Sequence, residues 1–497
     1  MANLRIVLLL ALPALAAAQD RAAIERWVTG HQRQVMAEFT ELLAIPDVGS
    51  DRPNIRRNAE FLRGMLERHG LKAEILETTG NPLVYAERNV PGAMRTTLFY
   101  IHYDGQPVDP PKWKQETPFH PLMRDGRLEE GAKTIPNFGT IEKLPDDWRI
   151  YARSASDDKA PIVALCAALD ALQGKTQSNI HVVLDGEEEM GSPSLTQAIT
   201  RYRDKLRASL LLILDGPVHA SGRPTLAFGA RGIVTMDLTV YGPKMALHSG
   251  HYGNWIPNPG IRLAQLLATM KDDQGRTTIA GFYDGVPPLT PQQRQVLKSV
   301  PDDEPALLKL FGVAHPDAVG ESLQEAIQYP SLNVRGMRSG YVDEPRTIIP
   351  PDATAAIDMR LVKETPSAHM LELLRAHIEK QGYHMVDQDP DDATRLRYPK
   401  LARLKVGEGM EAYRTEPESP EGVQVTQALT RMWGAEPVRI RTMGGTVPIA
   451  PFIRELGLPA VGVPIVNFDN NQHGDNENLR LGNLWTGIVT LAAMLKM

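Results

Sequence analysis

The sequence predicts an α/β protein in which helices cover both faces of a mostly parallel sheet, with a smaller α+β domain inserted into it. Continuous apolar runs, typical of strands buried on both faces, alternate with helical patterns towards both ends of the chain. In the middle, apolar and polar residues alternate instead, which indicates a sheet with one open face. A length of 497 residues is enough for two domains.

The large domain is predicted over residues 19–228 and 412–497. Two helical patterns, "AAIERWVTGHQRQVMAEFTELLAI" and "NIRRNAEFLRGMLERHG", precede the apolar strand runs "TTLFYIHYDG", "NIHVVLDG", "SLLLILDG" and "PAVGVPIV". Between the strands, "PIVALCAALDALQG" is a predicted helix with Pro161 in its first turn and Gly174 beyond its end. Its Cys166 is the only cysteine, so we expect a buried small hydrophobic residue and no intramolecular disulfide.

The inserted domain is predicted over residues 229–411. "GIVTMDLTVYG" and "ATAAIDMRLV" alternate as half-exposed strands, and "NPGIRLAQLLATM" and "SAHMLELLRAHIEKQG" have the spacing of amphipathic helices. Strands and helices of this kind favour a ferredoxin-like α+β arrangement. Ahead of it, the Pro-rich span 105–147 shows little periodicity and is predicted to be a long surface loop.

The first residues have the pattern of a secretory signal peptide. Arg5 precedes the apolar run "IVLLLALPALA", and small residues follow up to Ala18, where we expect cleavage. The run is too short for a membrane anchor. The protein is therefore expected in the periplasm or outside the cell, without a membrane partner. Its net charge of −6 offers no basic surface for nucleic acid.

Histidines and carboxylates follow the apolar strands of the large domain. The predicted strands lead into His102 and Asp104, into Asp185 with Glu187–Glu189, into Asp215 and, after a short loop, into His473. Because the carboxyl ends of parallel strands line one crevice, these side chains are expected to meet there.

A pair of acidic residues, Asp157 and Asp158, stands just ahead of the helix that begins near Pro161. The helix dipole favours anions at this end, and simple N-capping would account for one of the two carboxylates. Imidazole and carboxylate ligands without a cysteine cluster are typical of Zn²⁺ sites, and divalent ions would offset the repulsion within the acidic cluster.

Eight motifs, in order along the chain, resemble the zinc-dependent metallopeptidases that include carnosinases, other dipeptidases, aminoacylases and bacterial carboxypeptidases. The resemblance runs from about Ile24 to the C-terminus. The motifs are "IHYDGQP", "SASDDKAP", "DGEEEMGSPS", "LLILDG", "ALHSGHYGN", "TIIPPDATAAIDMRLV", "MGGTVPIAPF" and "NQHGDNE".

The resemblance implies a pair of divalent ions, Zn²⁺ or alternatively Mn²⁺ or Co²⁺. His102 and Asp215 would hold one ion, Glu189 and His473 the other, and Asp157 would bridge both. A cis peptide bond is implied between Asp157 and Asp158.

The resemblance also assigns the proton-transfer groups. Glu188 would be the general base that deprotonates a bridging water, Asp104 would orient the His102 imidazole, and Glu187 takes a variable position without a role. Periodicity alone could not select Glu188 from its neighbours.

The inserted domain would serve as a dimerisation and lid domain. There the resemblance implies that His248 stabilises the oxyanion across a homodimer interface, whereas His251 is structural. Arg360 would bind a substrate carboxylate, together with the loop Gly444, Gly445 and Thr446 and with Thr347. An ion pair of Arg360 with Asp358 is the alternative.

The chain departs from the family pattern where "ARS" replaces Gly-Arg-Gly before Asp157, at Ala160, and in an insertion over residues 129–147 that is expected to cover the cleft. The predicted activity is that of a dipeptidase or exopeptidase. An N-acyl-amino-acid amidohydrolase and a non-catalytic relative that binds without cleaving remain as alternatives.

Overall fold

A computed structural model describes residues 2–497 of the chain, with side chains described from residue 18 onwards except that of Glu408. The predicted signal peptide, residues 1–18, therefore lies almost wholly outside the described side chains and stays a prediction. Among the described residues, every helix is too short or too polar to cross a membrane.

Among the described residues, the first part of the large domain contains five α-helices and nine strands. The helices are α1 (Ala2–Leu43), α2 (Arg52–Arg68), α3 (Lys159–Ala171), α4 (Leu195–Arg201) and α5 (Arg203–Leu206). The strands are β1 (Lys72–Leu76), β2 (Leu83–Arg88), β3 (Thr96–His102), β4 (Leu122–Arg124), β5 (Arg149–Tyr151), β6 (Asn179–Asp185), β7 (Leu210–Ile213), β8 (Thr225–Ala227) and β9 (Gly229–Ala230).

The small domain follows, and the chain then returns to the large one. The small-domain strands are β10 (Gly232–Tyr241), β11 (Leu247–His248), β12 (Ser331–Arg338), β13 (Ile348–Ile349), β14 (Asp352–Leu361), β15 (His384–Met385) and β16 (Leu401–Met410). Its helices are α6 (Ser249–Tyr252), α7 (Pro259–Ala268), α8 (Pro291–Lys298), α9 (Glu304–Phe311), α10 (Leu323–Ala326), α11 (Ser367–Lys380) and α12 (Asp392–Arg397). The last part has β17 (Tyr413–Arg414), α13 (Pro420–Trp433), β18 (Val438–Ile440), α14 (Ala450–Leu456), β19 (Ala460–Gly462), β20 (Asn478–Arg480) and α15 (Leu481–Leu495).

The large sheet has the strand order β1-β2-β6-β3-β7-β19-β8-β18. Its central strands β6, β3, β7 and β19 run parallel, and antiparallel pairs flank them. Residues 98–101 of β3 are completely buried, as a strand covered on both faces must be. Helix α3, which carries the buried Cys166, packs against α1 and α15. The predicted α/β fold is confirmed.

The small domain is built on a five-stranded sheet in the order β12-β14-β10-β16-β15. Strand β10 alternates in burial, with Val234, Met236 and Leu238 inside, so the predicted half-exposed strand is confirmed. Helices α7 and α11 supply the other half of this core. At the junction with the large domain, β9 pairs with β17, so the chain leaves and re-enters the large domain side by side.

The span 105–147 is more ordered than the predicted surface loop. Strand β4 pairs with β5, which in turn pairs with β20. The insertion 129–147 packs against α1: Leu144 is buried and its amide donates to Gln32, and Arg33 donates to the carbonyl oxygen of Gly139 at 3.1 Å. Glu129 accepts from Asn471 in the loop that carries His473 at 3.5 Å, and Asp147 forms an ion pair with Arg480 at 2.6 Å. The described contacts of the insertion thus lie with α1, with Arg480 and Gly482, and with the loop of His473, and the expectation that it covers the cleft stays a prediction.

Candidate metal centre

Five side chains from distant parts of the sequence form two overlapping groups at the carboxyl edge of the large sheet. His102, Asp157 and Asp215 make one group, and Asp157, Glu189 and His473 make the other. Within each group, one ligand atom per residue lies within 4.8 Å of all the others. These are the five residues predicted as ligands, and Asp157 is the one shared by both groups.

His102 ends β3 and lies opposite Asp185 of β6 in the parallel register. Its Nδ1 donates to the main-chain carbonyl oxygen of Asp104 at 3.0 Å, whereas the Asp104 carboxylate is 3.5 Å away. The carbonyl oxygen therefore orients the ring more directly than the predicted carboxylate does. With Nδ1 as the donor, Nε2 is left with its lone pair, 3.0 Å from Asp157 Oδ1.

The Asp104 carboxylate instead holds the acidic loop that follows β6. Its Oδ1 accepts from the amide of Glu188 at 3.0 Å and its Oδ2 from the amide of Glu189 at 3.1 Å. The two residues expected to act as base and ligand are thus fixed through one buried side chain.

Asp157 lies ahead of α3, and the peptide bond between it and Asp158 is cis, as predicted. Asp158 occupies the N-cap position but does not cap the helix with its side chain. Its carboxylate accepts from the amide of His102 at 3.3 Å. Simple N-capping therefore explains neither carboxylate of the pair.

Glu477 is the residue that sequence reasoning missed in the "NQHGDNE" motif. It is 0% exposed. Its Oε1 accepts from the amides of Ser156 and Asp157 at 2.8 and 2.9 Å, and its Oε2 accepts from the amide of Ser154 at 3.0 Å. Arg153 Nη1 donates to the same carboxylate at 2.8 Å. Glu477 therefore fixes the turn "ARS", where Ser154 adopts a positive φ of 59° in place of the family's glycine.

A second buried ion pair, between Lys159 and Asp47, lies beside this turn. Lys159 Nζ lies 2.7 Å from Asp47 Oδ2, and both side chains are 0% exposed. The ammonium also donates to the carbonyl oxygens of Leu42 and Ile45 at the end of α1. No sequence pattern signals this pair, because its partners are more than a hundred residues apart.

The acidic run after β6 separates into two kinds of residue. Asp185 accepts from Tyr100 and Ser192, and Glu187 accepts from the amides of Asn81 and Ser194 at 2.6 and 3.1 Å. A Cβ atom on the neighbouring Gly80 would lie 1.7 Å from Glu187 Oε1, so only glycine allows this approach. Glu187 is outside both metal groups, as predicted, but it anchors the loop.

Glu188 and Glu189 face the site. Glu189 belongs to the second group and accepts from Gln106 Nε2 at 2.6 Å. The Glu188 carboxylate accepts no hydrogen bond from any described residue. Burial raises its pKa well above the usual range, and the negative charges of Asp215 and Glu189 add to the rise. A carboxylate with a raised pKa and no fixed donor is suited to carry a proton.

The electrostatics of the groups favour divalent cations. Burial and repulsion from Asp157 raise the pKa of Glu189 to about 7 and that of Asp215 to about 6. Burial also opposes ionisation of Asp157, but hydrogen bonds with His102 and His473 hold its pKa below the usual range. Two imidazoles and three carboxylates, one shared, are the donor set expected around a pair of such ions. The residues present therefore fit a pair of divalent ions.

Arg360 of β14 contacts the predicted carboxylate loop, since its Nη1 donates to Thr446 Oγ1 at 2.9 Å. Gly444 and Gly445 precede Thr446 and are exposed. The alternative ion pair with Asp358 is not formed. Asp358 instead accepts from Asn333 Nδ2 at 3.0 Å.

His248 and Thr347 lie together on the small domain. Strand β11 pairs with β13, and Ser249 donates its amide to the carbonyl oxygen of Thr347 at 2.9 Å. Both His248 and Thr347 are exposed. The His248 ring contacts that of His251, with ring centroids 4.6 Å apart, and its described contacts include none of the metal-group residues.

The chain is similar to several known metallopeptidases. The Cys-Gly metallodipeptidase of Candida albicans is 26% identical over 478 residues, which cover 91% of this chain and 92% of that protein. The Beta-Ala-His dipeptidase of Mus musculus is 25% identical over 422 residues, covering 83% and 79%. The M20 family metallo-carboxypeptidase Sso-CP2 from Sulfolobus solfataricus superposes with a TM-score of 0.73 at 30% identity, covering 93% of this chain and 98% of that one.

The family model for peptidase family M20/M25/M40 matches residues 134–497, well over half of the chain. The match includes both metal groups except His102, and the structural likeness extends over the rest. The chain therefore belongs to peptidase family M20/M25/M40 and is a metallopeptidase.

Proposed function

We propose that this protein is a di-metal dipeptidase or exopeptidase that hydrolyses dipeptides or short peptides. The observation that carries the proposal is the sharing of Asp157 between two ligand groups beside an unpaired Glu188 carboxylate. The relatives named above, two dipeptidases and a carboxypeptidase, support this substrate class.

His102 and Asp215 would hold one ion and Glu189 and His473 the other, with Asp157 between them. When bound, divalent ions of this kind, Zn²⁺ or alternatively Mn²⁺ or Co²⁺, polarise the scissile carbonyl and acidify water. Glu188 accepts the proton of the attacking water at its carboxylate and delivers it to the leaving nitrogen. The amide contacts with Asp104 keep Glu188 in place during both transfers.

The substrate's carboxyl end would lie against Arg360, whose guanidinium is already turned towards Thr446. A guanidinium suits this task because it can donate two parallel hydrogen bonds to a carboxylate. The backbone groups of Gly444 and Gly445 are accessible for the same end of the substrate.

His248 would complete the site of a second copy in a homodimer. The support is that His248 and Thr347 are exposed and adjacent while their described contacts stay within their own domain. An imidazole donor placed on the developing oxyanion would stabilise the transition state.

We also propose that the protein is exported and cleaved near Ala18. Cleavage there would leave Asp20 in the mature chain, where it forms an ion pair with Lys496 next to the C-terminus. N-terminal sequencing of protein recovered from the periplasm or medium checks the site, and an intact N-terminus would contradict it.

A substrate panel tests the proposed activity. Metal-free protein is reconstituted with Zn²⁺, Mn²⁺ or Co²⁺ and incubated with dipeptides, tripeptides and N-acetyl amino acids, and the products are read by mass spectrometry. We expect cleavage of dipeptides that a chelator abolishes. Faster cleavage of N-acetyl amino acids would favour the amidohydrolase alternative, and no cleavage with metal bound would favour a non-catalytic relative.

A further inference from the structure

His473 is the one exposed member of the two ligand groups. Its side chain is 55% exposed, whereas that of His102 is 1% exposed. The His102 ring is oriented through Nδ1, which donates to the carbonyl oxygen of Asp104. The Nδ1 atom of His473 forms no hydrogen bond with any described residue, and its Nε2 lies 3.1 Å from Asp157. The direction of the His473 ring is therefore set mainly by the main chain that carries it.

This main chain, the loop 469–478, has an uncommon conformation. Asn471, His473 and Asn476 have positive φ angles of 57°, 60° and 59°. A positive φ costs free energy in residues other than glycine, and it persists only where the surrounding structure fixes the chain. The loop therefore depends on contacts that hold it in this conformation.

A single guanidinium, that of Arg149, contacts both ends of the loop 469–478. At the first end, Nη1 and Nη2 donate to Asp469 Oδ1 and Oδ2 at 3.0 and 2.8 Å, and Nη1 also contacts the carbonyl oxygen of Asp469 at 3.3 Å. At the other end, Nη1 donates to Asn478 Oδ1 at 2.8 Å. Arg149 begins β5, which leads towards Asp157, so one residue connects the strand before the shared ligand with the loop of His473.

The contact between Arg149 and Asp469 is largely buried and charged at neutral pH. Arg149 is 5% exposed. Burial opposes ionisation of Asp469, but hydrogen bonds with Arg149 and Asn467 hold its pKa at about 2. Two parallel hydrogen bonds between a guanidinium and a carboxylate fix direction as well as distance, which a single ammonium group does not. Arg149 is therefore suited to fix the loop.

Arg127 contacts the same carboxylate but is less suited to hold it. Its Nε lies 3.4 Å from Asp469 Oδ2, and its side chain is 40% exposed. The same guanidinium also lies 3.7 and 3.4 Å from the carboxylates of Glu129 and Glu130. Exposed ion pairs of this kind contribute little to stability. Arg127 therefore offers a matched control for the loss of an arginine beside Asp469.

We propose that Arg149 is a positioning residue that holds His473 in place for one of the two divalent ions. The inference rests on the proposed di-metal function and adds to it a residue that touches neither ion nor substrate and acts through the two ends of the loop. Without Arg149, the loop relaxes from its positive-φ conformation and the half-exposed His473 ring turns towards solvent. The group that contains Glu189 and His473 is then weakened, whereas the group that contains His102 and Asp215 keeps its ligands.

The test measures the binding of the two ions step by step. Metal-free protein is titrated with Zn²⁺ in competition with chelators of graded affinity, and bound Zn²⁺ is measured by plasma mass spectrometry after gel filtration. The wild type should bind about two ions per chain, one for each ligand group. In Arg149→Gln, the affinity of one binding step should fall about 10–100-fold, while that of the other changes by less than about fivefold.

Arg149→Lys keeps the buried charge, but its ammonium group cannot span both ends of the loop. It should show the same selective loss, and it keeps the test decisive if Arg149→Gln does not fold. Arg127→Gln is the control and should bind both ions as the wild type does. Melting temperatures of all variants, measured without metal, show which of them are folded.

His473→Ala identifies the ion concerned, because it removes the ligand itself. It should weaken the same binding step as Arg149→Gln does. Adding Arg149→Gln to His473→Ala should leave the affinity of the remaining ion unchanged, since Arg149 acts through His473. A general loosening of the site would instead weaken the remaining ion as well.

The proposal is overturned if folded Arg149→Gln or Arg149→Lys binds both ions as the wild type does, if both binding steps weaken equally, or if Arg127→Gln has the same effect. It is also overturned if Arg149→Gln weakens the remaining ion in His473→Ala. Dipeptide cleavage by the same samples separates this failure from that of the proposed function. A wild type that binds two ions without cleaving any peptide would contradict the function alone, whereas one that binds fewer than two would overturn this inference.

Discussion

Glu477 holds the main chain that positions Asp157, the residue shared by both ligand groups. Its Oε1 accepts from the Asp157 amide at 2.9 Å, and the same carboxylate binds two further amides of the turn and the guanidinium of Arg153. Asp157 is therefore fixed by a side chain that belongs to neither ligand group.

The first prediction follows from this contact. Glu477→Gln replaces one accepting oxygen by a donor and removes the charge that faces Arg153, so the turn should loosen around Asp157. We expect metal affinity, measured by competition with a chromogenic chelator, to fall about 10–100-fold. Glu416→Gln, which disturbs an ion-pair network away from the metal groups, should leave metal affinity unchanged. Equal affinities in wild type and Glu477→Gln would show that Asp157 is held by other means.

The second prediction separates the proposed base, Glu188, from the proposed ligand beside it, Glu189. Glu188→Gln should lower kcat by about 10²–10⁴-fold, since proton transfer is lost, while the metal content stays at the wild-type value. Glu189→Gln, one residue on, should lower the metal content itself because Glu189 belongs to a ligand group. The two variants are distinguished by measuring the metal content by mass spectrometry and the turnover of the same samples. Substantial turnover by Glu188→Gln would exclude Glu188 as the general base.

The third prediction concerns His248. If it acts in the site of a second copy, then His248→Ala and Glu188→Gln homodimers should each be inactive, and hybrids of the two should regain activity. Each hybrid holds one intact site, formed by Glu188 of one chain and His248 of the other. Mixing the two variants under conditions of subunit exchange and measuring turnover tests this. If the hybrids regain no activity although labelled chains show that subunits have exchanged, His248 does not act in a shared site.

The fourth prediction concerns stability and pH. Burial would lower the pKa of His69, at the end of α2, but hydrogen bonds with Asp170 and Glu38 raise it to about 9. Since this pKa lies above the ordinary value of 6.5, the stabilisation is complete below that pH and is lost as the pH rises through about 9.

His69→Gln should therefore reduce the free energy of unfolding at pH 6 by about 1–2 kcal/mol, and by much less at pH 10. Urea unfolding of metal-free protein at both pH values gives the comparison. The exposed His315 provides the control, since His315→Gln should have little effect at either pH. If His69→Gln reduced the free energy of unfolding as much at pH 10 as at pH 6, the pairing of His69 with Asp170 and Glu38 would be contradicted.

The sequence was sufficient to predict that the ligands lie close together, because each follows an apolar strand or precedes a helix; which of them would hold each ion was implied by the family resemblance. Strand ends of a parallel sheet meet at one edge, so His102, Asp215 and His473 could be placed together without coordinates. The residues that support these ligands could not be predicted in this way. Glu477 acts through hydrogen bonds to main-chain amides, and Lys159 pairs with Asp47 across more than a hundred residues.

The contacts of two loops could not be predicted from the sequence for a similar reason. The insertion 129–147 contacts α1 through Leu144 and Gly139, and burial against a distant helix leaves no periodic signal in a short irregular segment. Glu187 takes a variable position in the family pattern, yet it anchors the loop through the amides of Asn81 and Ser194. In both cases the partner is set by tertiary packing rather than by spacing.

The central claim, that one aspartate joins two cation sites, is tested most directly by the ratio of metal to protein. Chelated protein is reloaded with Zn²⁺, freed of excess metal by gel filtration, and its metal is measured by plasma mass spectrometry. We predict about two ions per wild-type chain, on the basis of the two ligand groups. For Asp157→Asn we predict about one or fewer, because both groups lose their common ligand. A wild-type ratio below one, or an unchanged ratio in Asp157→Asn, would contradict the account.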